Sequence, residues 1–191
     1  MTSFSYPSPT RTETALTFGS STVDHLTQLD GLGRPIVSQT RQAPASSTYD
    51  SVETDYNVVG NVSKVTLPYS GAAGALCSGT CPGTLFAYDA LGRTLSATDG
   101  AGGSTSYTYS QNDVYQTLGP APTGESAKRK QTEYDALGRL KSVCEITSVA
   151  GSGACGQTTP ATGFVTGYTY GALGLLTNVT QNAQGRTFIL R

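Results

Sequence analysis

Short runs in which alternate residues are aromatic or β-branched recur along the chain, and each run stops at a polar corner. Phe86 and Tyr88, Tyr107 and Tyr109, Thr132 and Tyr134, and Tyr168 and Tyr170 lie two apart. That spacing places side chains on one face of a pleated strand. The corner itself repeats. Tyr88-Asp89-Ala90-Leu91-Gly92-Arg93 returns as Tyr134-Asp135-Ala136-Leu137-Gly138-Arg139, 46 positions on. Weaker copies are Leu29-Asp30-Gly31-Leu32-Gly33-Arg34, Tyr56-Asn57-Val58-Val59-Gly60-Asn61 and Tyr170-Gly171-Ala172-Leu173-Gly174-Leu175. A sixth copy, at Tyr109-Ser110-Gln111-Asn112-Asp113, keeps only the tyrosine. First residues of successive copies are 27, 32, 21, 25 and 36 apart. Units at that period make an array of small supersecondary motifs.

Each corner predicts a β-hairpin. Asp suits the first position of a type I turn, where its carboxylate accepts from backbone N–H groups. Glycine three places on can take the left-handed conformation that closes a bulged hairpin. After the corner, apolar residues stand three apart: Val62 and Val65, Leu140 and Val143, Leu176 and Val179. A regular strand does not bring such residues to one face, so either a bulge intervenes or both faces are partly covered.

The repeated Tyr-Asp-Ala-Leu-Gly-Arg phrase resembles the YD repeat of the RHS (rearrangement-hotspot) family, over about residues 25–180. That family includes bacterial polymorphic toxins, wall-associated proteins, the C component of insecticidal toxin complexes and the teneurins. The resemblance implies an all-β fold: an antiparallel hairpin array forming a section of a spiral β-shell around a C-terminal effector. Residues 1–24 are then an N-terminal strand or linker, and residues 25–191 an array of about six hairpins. The chain reads as a piece of a longer protein of that family or as a degraded open reading frame. The family's aspartyl self-cleavage motif, an Asp-Pro-x-Gly pair, has no match here, which puts self-processing beyond this segment.

Composition agrees with turn-rich β-structure. Of 191 residues, 23 are Gly and 11 Tyr, with 1 Met, no Trp and only 13% charged. Net charge is −1, without a basic stripe, so no nucleic-acid partner is expected. The run Lys128-Arg129-Lys130 reads as a solvated loop before a strand. No apolar stretch is long enough to span a membrane, and residues 1–20 lack the pattern of a signal peptide.

Four cysteines form two local pairs, Cys77 with Cys81 and Cys144 with Cys155, each flanking a turn. Disulfides would place the chain in an oxidising compartment, secreted or at the cell surface; the alternative is four free thiols. The spacings do not match a zinc ribbon. Segments 70–83, 118–124 and 150–163, rich in Gly, Pro, Ser and Thr, read as loops at one edge of the ribbon.

Catalytic signals are weak. His25 is the sole histidine, and no G-x-S-x-G elbow is present. Gly151-Ser152-Gly153-Ala154-Cys155-Gly156 matches G-x-G-x-x-G but precedes Thr158-Thr159-Pro160, not a helix. The sequons at Asn61 and Asn178 fall on predicted strands and read as coincidental. We therefore expect no catalytic residues, no cofactor and no metal. The expected partner is the rest of the parent RHS polypeptide or its effector. A second reading is a surface module that binds glycans or protein through exposed tyrosines. In the first reading Arg93 and Arg139 close their turns and reach a neighbouring strand's carbonyls.

Overall fold

The computed structural model describes residues 1–18, 21–146, 163–181 and 184–187. Among them the secondary structure is all β, with sixteen strands and no helix. Two compact units are distinguished, each described in turn.

The first unit comprises Met1–Arg93 and Ala97–Gly102. It holds β1 (Thr2–Ser8), β2 (Arg11–Phe18), β3 (Ser21–Leu29), β4 (Pro35–Arg41), β5 (Thr48–Tyr56), β6 (Val62–Thr66), β7 (Tyr69–Ala72) and β8 (Gly83–Tyr88). The strands run antiparallel in the order β1-β2-β3-β4-β5-β6-β8. β5 pairs with β6 through Thr54–Tyr56 and with β7 through Thr48–Ser51. The N-terminal segment is thus a hairpin, and β3 runs across the boundary expected at residue 25.

The second unit comprises Thr94–Ser96 and Gly103–Arg191. β9 (Thr94–Thr98) is divided between the units. The strands that follow are β10 (Ser104–Ser110), β11 (Asp113–Gly119), β12 (Lys128–Tyr134), β13 (Leu140–Ile146), β14 (Gly163–Tyr170), β15 (Leu176–Gln181) and β16 (Gln184–Thr187). They pair antiparallel in chain order. The basic run Lys128-Arg129-Lys130, expected in a loop, opens β12 instead; only Lys128 is exposed. Strand alternation half-buries its neighbours, which composition alone does not reveal.

Pairing register settles the three-residue spacing. Tyr134 faces Leu140 while Thr132 faces Val143, leaving Lys141 as an extra residue in β13. Thr132 and Tyr134 share a face, so Leu140 and Val143 do too. The same bulge recurs at Ser63, with Tyr56 opposite Val62 and Thr54 opposite Val65. It recurs again at Thr177, with Tyr170 opposite Leu176 and Tyr168 opposite Val179. A bulge adds one residue to one strand only, and so restores a common face to residues three apart.

The opposite face is the more deeply buried, and most of it is polar. In the first unit Asp24, Leu26, Val37, Gln39, Tyr49 and Ser51 lie there. In the second unit the buried residues are Asp113, Gln131, Glu133 and Cys144. Leu26 and Val37 are almost wholly enclosed, each worth about 1.5–3 kcal/mol of burial.

Candidate functional site

The repeating corner is the most regular chemistry in the molecule. Asp89 N–H donates to the Arg93 carbonyl at 3.0 Å, and Gly92 N–H to the Asp89 carbonyl at 3.0 Å. Asp89 Oδ1 accepts from Leu91 N–H and Arg93 N–H, both at 2.9 Å, and Oδ2 from Arg93 Nε–H at 2.7 Å. Asp30 and Asp135 repeat the pattern with Arg34 and Arg139. Asn57 keeps the backbone half: its Oδ1 accepts from Val59 N–H at 3.1 Å and Asn61 N–H at 2.9 Å. Gly171 keeps only the two main-chain bonds, at 2.8 and 2.9 Å. The glycine survives in all five of these corners, at φ from +75° to +93°. In the sixth copy Ser110 pairs with Asp113 around a two-residue loop, with Gln111 at φ +54°.

These bonds set the carboxyl acidity. The Arg139 backbone N–H, then the Arg139 side chain, Leu137 N–H and the guanidinium charge, hold Asp135 below the ordinary carboxylate value. Asp30 is lowered in the same way by Arg34 N–H first. At Asp89 desolvation pushes upward as the largest single influence, but the Arg93 and Leu91 donors together outweigh it and the net shift is downward.

Tyrosine carries the link between repeats. Tyr56 Oη donates to the Pro35 carbonyl at 2.9 Å. Tyr88 donates to Val62, Tyr109 to Thr94 and Tyr170 to Leu140, each at 2.8 Å. Each acceptor is the first residue after the corner of the preceding repeat. The Arg34 guanidinium lies over the Tyr56 ring at 4.2 Å, and that of Arg139 over Tyr170 at 4.6 Å, within cation–π range. Arg93 and Arg139 close their turns as expected, and the expected reach of Arg139 to a neighbouring carbonyl is corrected. Arg139 bonds its own Asp135 and covers the next tyrosine; the hydroxyl of that tyrosine, not the guanidinium, takes the neighbouring carbonyl. With Nε and Nη2 of Arg139 turned to Asp135, four residues earlier, the flat face of the guanidinium is what the neighbour meets. Tyr88, Tyr134 and Tyr170 are half-buried, as packing residues are.

Segment 70–83, expected as an edge loop, starts in β7 and folds back onto the polar face of the first unit. Gln39 holds it with both ends of its amide: Nε2 donates to the Ala72 carbonyl at 2.9 Å, and Oε1 accepts from Gly74 N–H at 2.6 Å. Glu53 Oε2 accepts from Cys77 N–H at 2.7 Å. Cys77 and Cys81 form a disulfide, with Cα atoms 6.3 Å apart. On the same face of the sheet as Gln39, Asp24 Oδ2 receives Arg41 Nε and Nη2 at 2.9 and 2.6 Å. Desolvation first, and the charge of Asp24 next, raise the Tyr49 hydroxyl above its ordinary value.

His25 stands exposed on β3, its Nδ1 3.0 Å from Thr40 Oγ1. It lines an open groove of about 440 Å³ with Thr40, Asp50 and Pro68. Cys144 is buried on β13; its expected partner Cys155, and the glycine-rich run at 151–156, lie outside the described residues. Segment 118–124 contains the end of β11 and a turn in which Glu125 N–H donates to the Pro122 carbonyl. No described helix is long and apolar enough to cross a membrane.

Sequence reasoning missed two polar clusters: Asp24 with Arg41 and Tyr49, and Asp113 with Gln131 and Glu133. The second has one sequence signal, the period-two run of polar residues along β12, Arg129, Gln131 and Glu133.

No protein-family model and no curated protein matches the sequence. Among solved structures the chain is similar to the crystal structure of TcdB2-TccC3 without its hypervariable C-terminal region. The TM-score is 0.64 at 14% identity, covering 90% of this chain. The chain spans about a tenth of the length of that structure, 10%. The likeness shows the fold: an all-β antiparallel hairpin array resembling a section of that much longer chain.

Proposed function

We propose that this chain is a non-catalytic section of RHS-type β-shell wall, whose partner is another part of a larger secreted or cell-surface polypeptide. The observation that carries the reading is the latch. In four copies, at Tyr56, Tyr88, Tyr109 and Tyr170, the tyrosine hydroxyl bonds the strand that leaves the preceding corner, at 2.8–2.9 Å. Such a contact joins neighbours only, so it serves a wall of any number of repeats. The similarity to TcdB2-TccC3 supports the same reading at the level of fold. The disulfide Cys77–Cys81 suits an oxidising compartment. A glycan-binding surface would want free aromatic faces, and here Tyr56 and Tyr170 have guanidinium groups over their rings.

The test is protease protection. The polypeptide that carries this chain is expressed with its downstream sequence, which we expect to be cleaved far more slowly than when made alone. Equal cleavage rates in the two settings would overturn enclosure.

A further inference from the structure

The second unit contains a pair of carboxylates with no obvious place in a structural wall. Asp113 on β11 stands directly opposite Glu133 on β12, and both are about 95% buried, at 6% and 5% exposure. Gln131, two residues along on the same face, is 3% exposed. Its Nε2 donates to Asp113 Oδ2 at 2.6 Å, which fixes the amide orientation: a flipped amide would set oxygen against carboxylate oxygen. Gln131 Oε1 and Asp113 Oδ1 are consequently both acceptors, both buried and both without a hydrogen-bond partner. Glu133 is provided for, by Lys141 Nζ at 2.8 Å and Ser142 Oγ at 3.2 Å.

Asp113 and Glu133 bring two carboxylates, and Lys141 pairs with Glu133 alone. A buried acceptor without a donor is unfavourable, and two on adjacent side chains compound it. Water could bridge them, but a water adds no charge. Carboxylate and amide oxygens together are the donor set of a hard divalent cation. No three His, Cys, Asp or Glu converge among the described residues; here an amide oxygen stands in for the third carboxylate.

We propose that Asp113 and Gln131, with Glu133 beside them, bind a calcium-class divalent cation that ties β11 to β12. Asp113 Oδ1 and Gln131 Oε1 are the primary ligands. Glu133 keeps its bonds to Lys141 and Ser142 and contributes charge. Solvent oxygens complete the shell, since calcium takes six to eight ligands in flexible geometry.

Tyr115 makes the proposal measurable. It pairs directly with Gln131 across the strands, and the chain has no Trp. Terbium(III), an oxygen-seeking luminescent ion, would take tyrosine excitation there. Titration of the full chain with terbium should give saturable emission at one ion per chain, displaced by calcium. Calcium alone should raise the melting temperature, since a ligand of the folded state stabilises it. Asp113→Asn and, separately, Gln131→Met should each weaken terbium by about tenfold or more, while Asp55→Asn in the first unit leaves it unchanged. Circular dichroism identifies any variant that fails to fold, and the wild-type titration stands without them. Emission that does not saturate, is not displaced by calcium, or survives both substitutions would overturn the site and leave a water bridge only.

Discussion

Gly138 offers a clean measurement of what the corner demands. Its φ is +75°, and an added Cβ would meet nothing within 4 Å. Steric crowding is therefore absent, and any loss on substitution comes from the backbone conformation alone. For an L-residue the left-handed region costs about 1–2 kcal/mol. Gly138→Ala should lose that amount. Gly138→Val should lose more, because a β-branched side chain is a true outlier there. Gly138→Asn should recover part of it, since Asn tolerates that region. Gly167 on β14 is the control: an added Cβ there also meets nothing within 4 Å, and its φ is not in the left-handed range. Gly167→Ala should be neutral or stabilise by about 0.4–1 kcal/mol through the unfolded state. Urea unfolding followed by circular dichroism reads the series; in a thermal melt each kcal/mol corresponds to about 2–4 °C at this size. If Gly138→Ala and Gly167→Ala behave alike, the positive φ is not what holds the glycine and the turn assignment fails.

Tyr170→Phe removes the hydroxyl from the Leu140 carbonyl and should cost about 0.5–1.5 kcal/mol in the same urea assay, with Tyr88→Phe similar; two unchanged midpoints would show that the latch does not stabilise the array. Asp30, Asp89 and Asp135 have carboxyls lowered from 3.8, so their contribution is present above 3.8 and is lost as pH falls through the lower folded value. Asp135→Asn, which should keep the backbone bonds as Asn57 does, is expected to flatten the acid limb of the stability profile; a profile identical to wild type would refute the assignment. Non-reducing peptide mapping should recover Cys77 linked to Cys81 and Cys144 linked to Cys155, and a Cys77–Cys144 peptide would contradict the local pairing.

What was legible in the sequence is what is local. Asp89, Gly92 and Arg93 lie within five residues, and every bond that makes the corner closes inside that span. The hairpins could be placed for the same reason. The bulge at Lys141 was legible only as an ambiguity, because a one-residue slip is defined by the partner strand and not by the strand itself. The tyrosine latch left no mark at all. Its acceptors are backbone carbonyls 15–30 residues earlier, and any residue supplies a carbonyl. The fold-back of segment 70–83 was hidden similarly: glycine and proline mark irregular chain, but its anchors are the side chains of Gln39 and Glu53 in other strands.

The buried polar face follows from the same economy of local bonding. A globular sheet buries an apolar face because its stability rests on one shared core. Here three corners are closed by their own Asp, Gly and Arg, two more by parts of the same bond set, and four tyrosine hydroxyls tie a hairpin to the one before it. Less is required of the face, and side chains such as Ser51, Gln39 and Gln131 occupy it by bonding one another across strands: Gln39 to Ser51 at 2.8 Å, Gln131 to Asp113 at 2.6 Å. Directional bonds of this kind specify register where a greasy face would tolerate slippage. They also leave acceptors over when donors run short, as at Asp24 in the first unit and at Asp113 and Gln131 in the second.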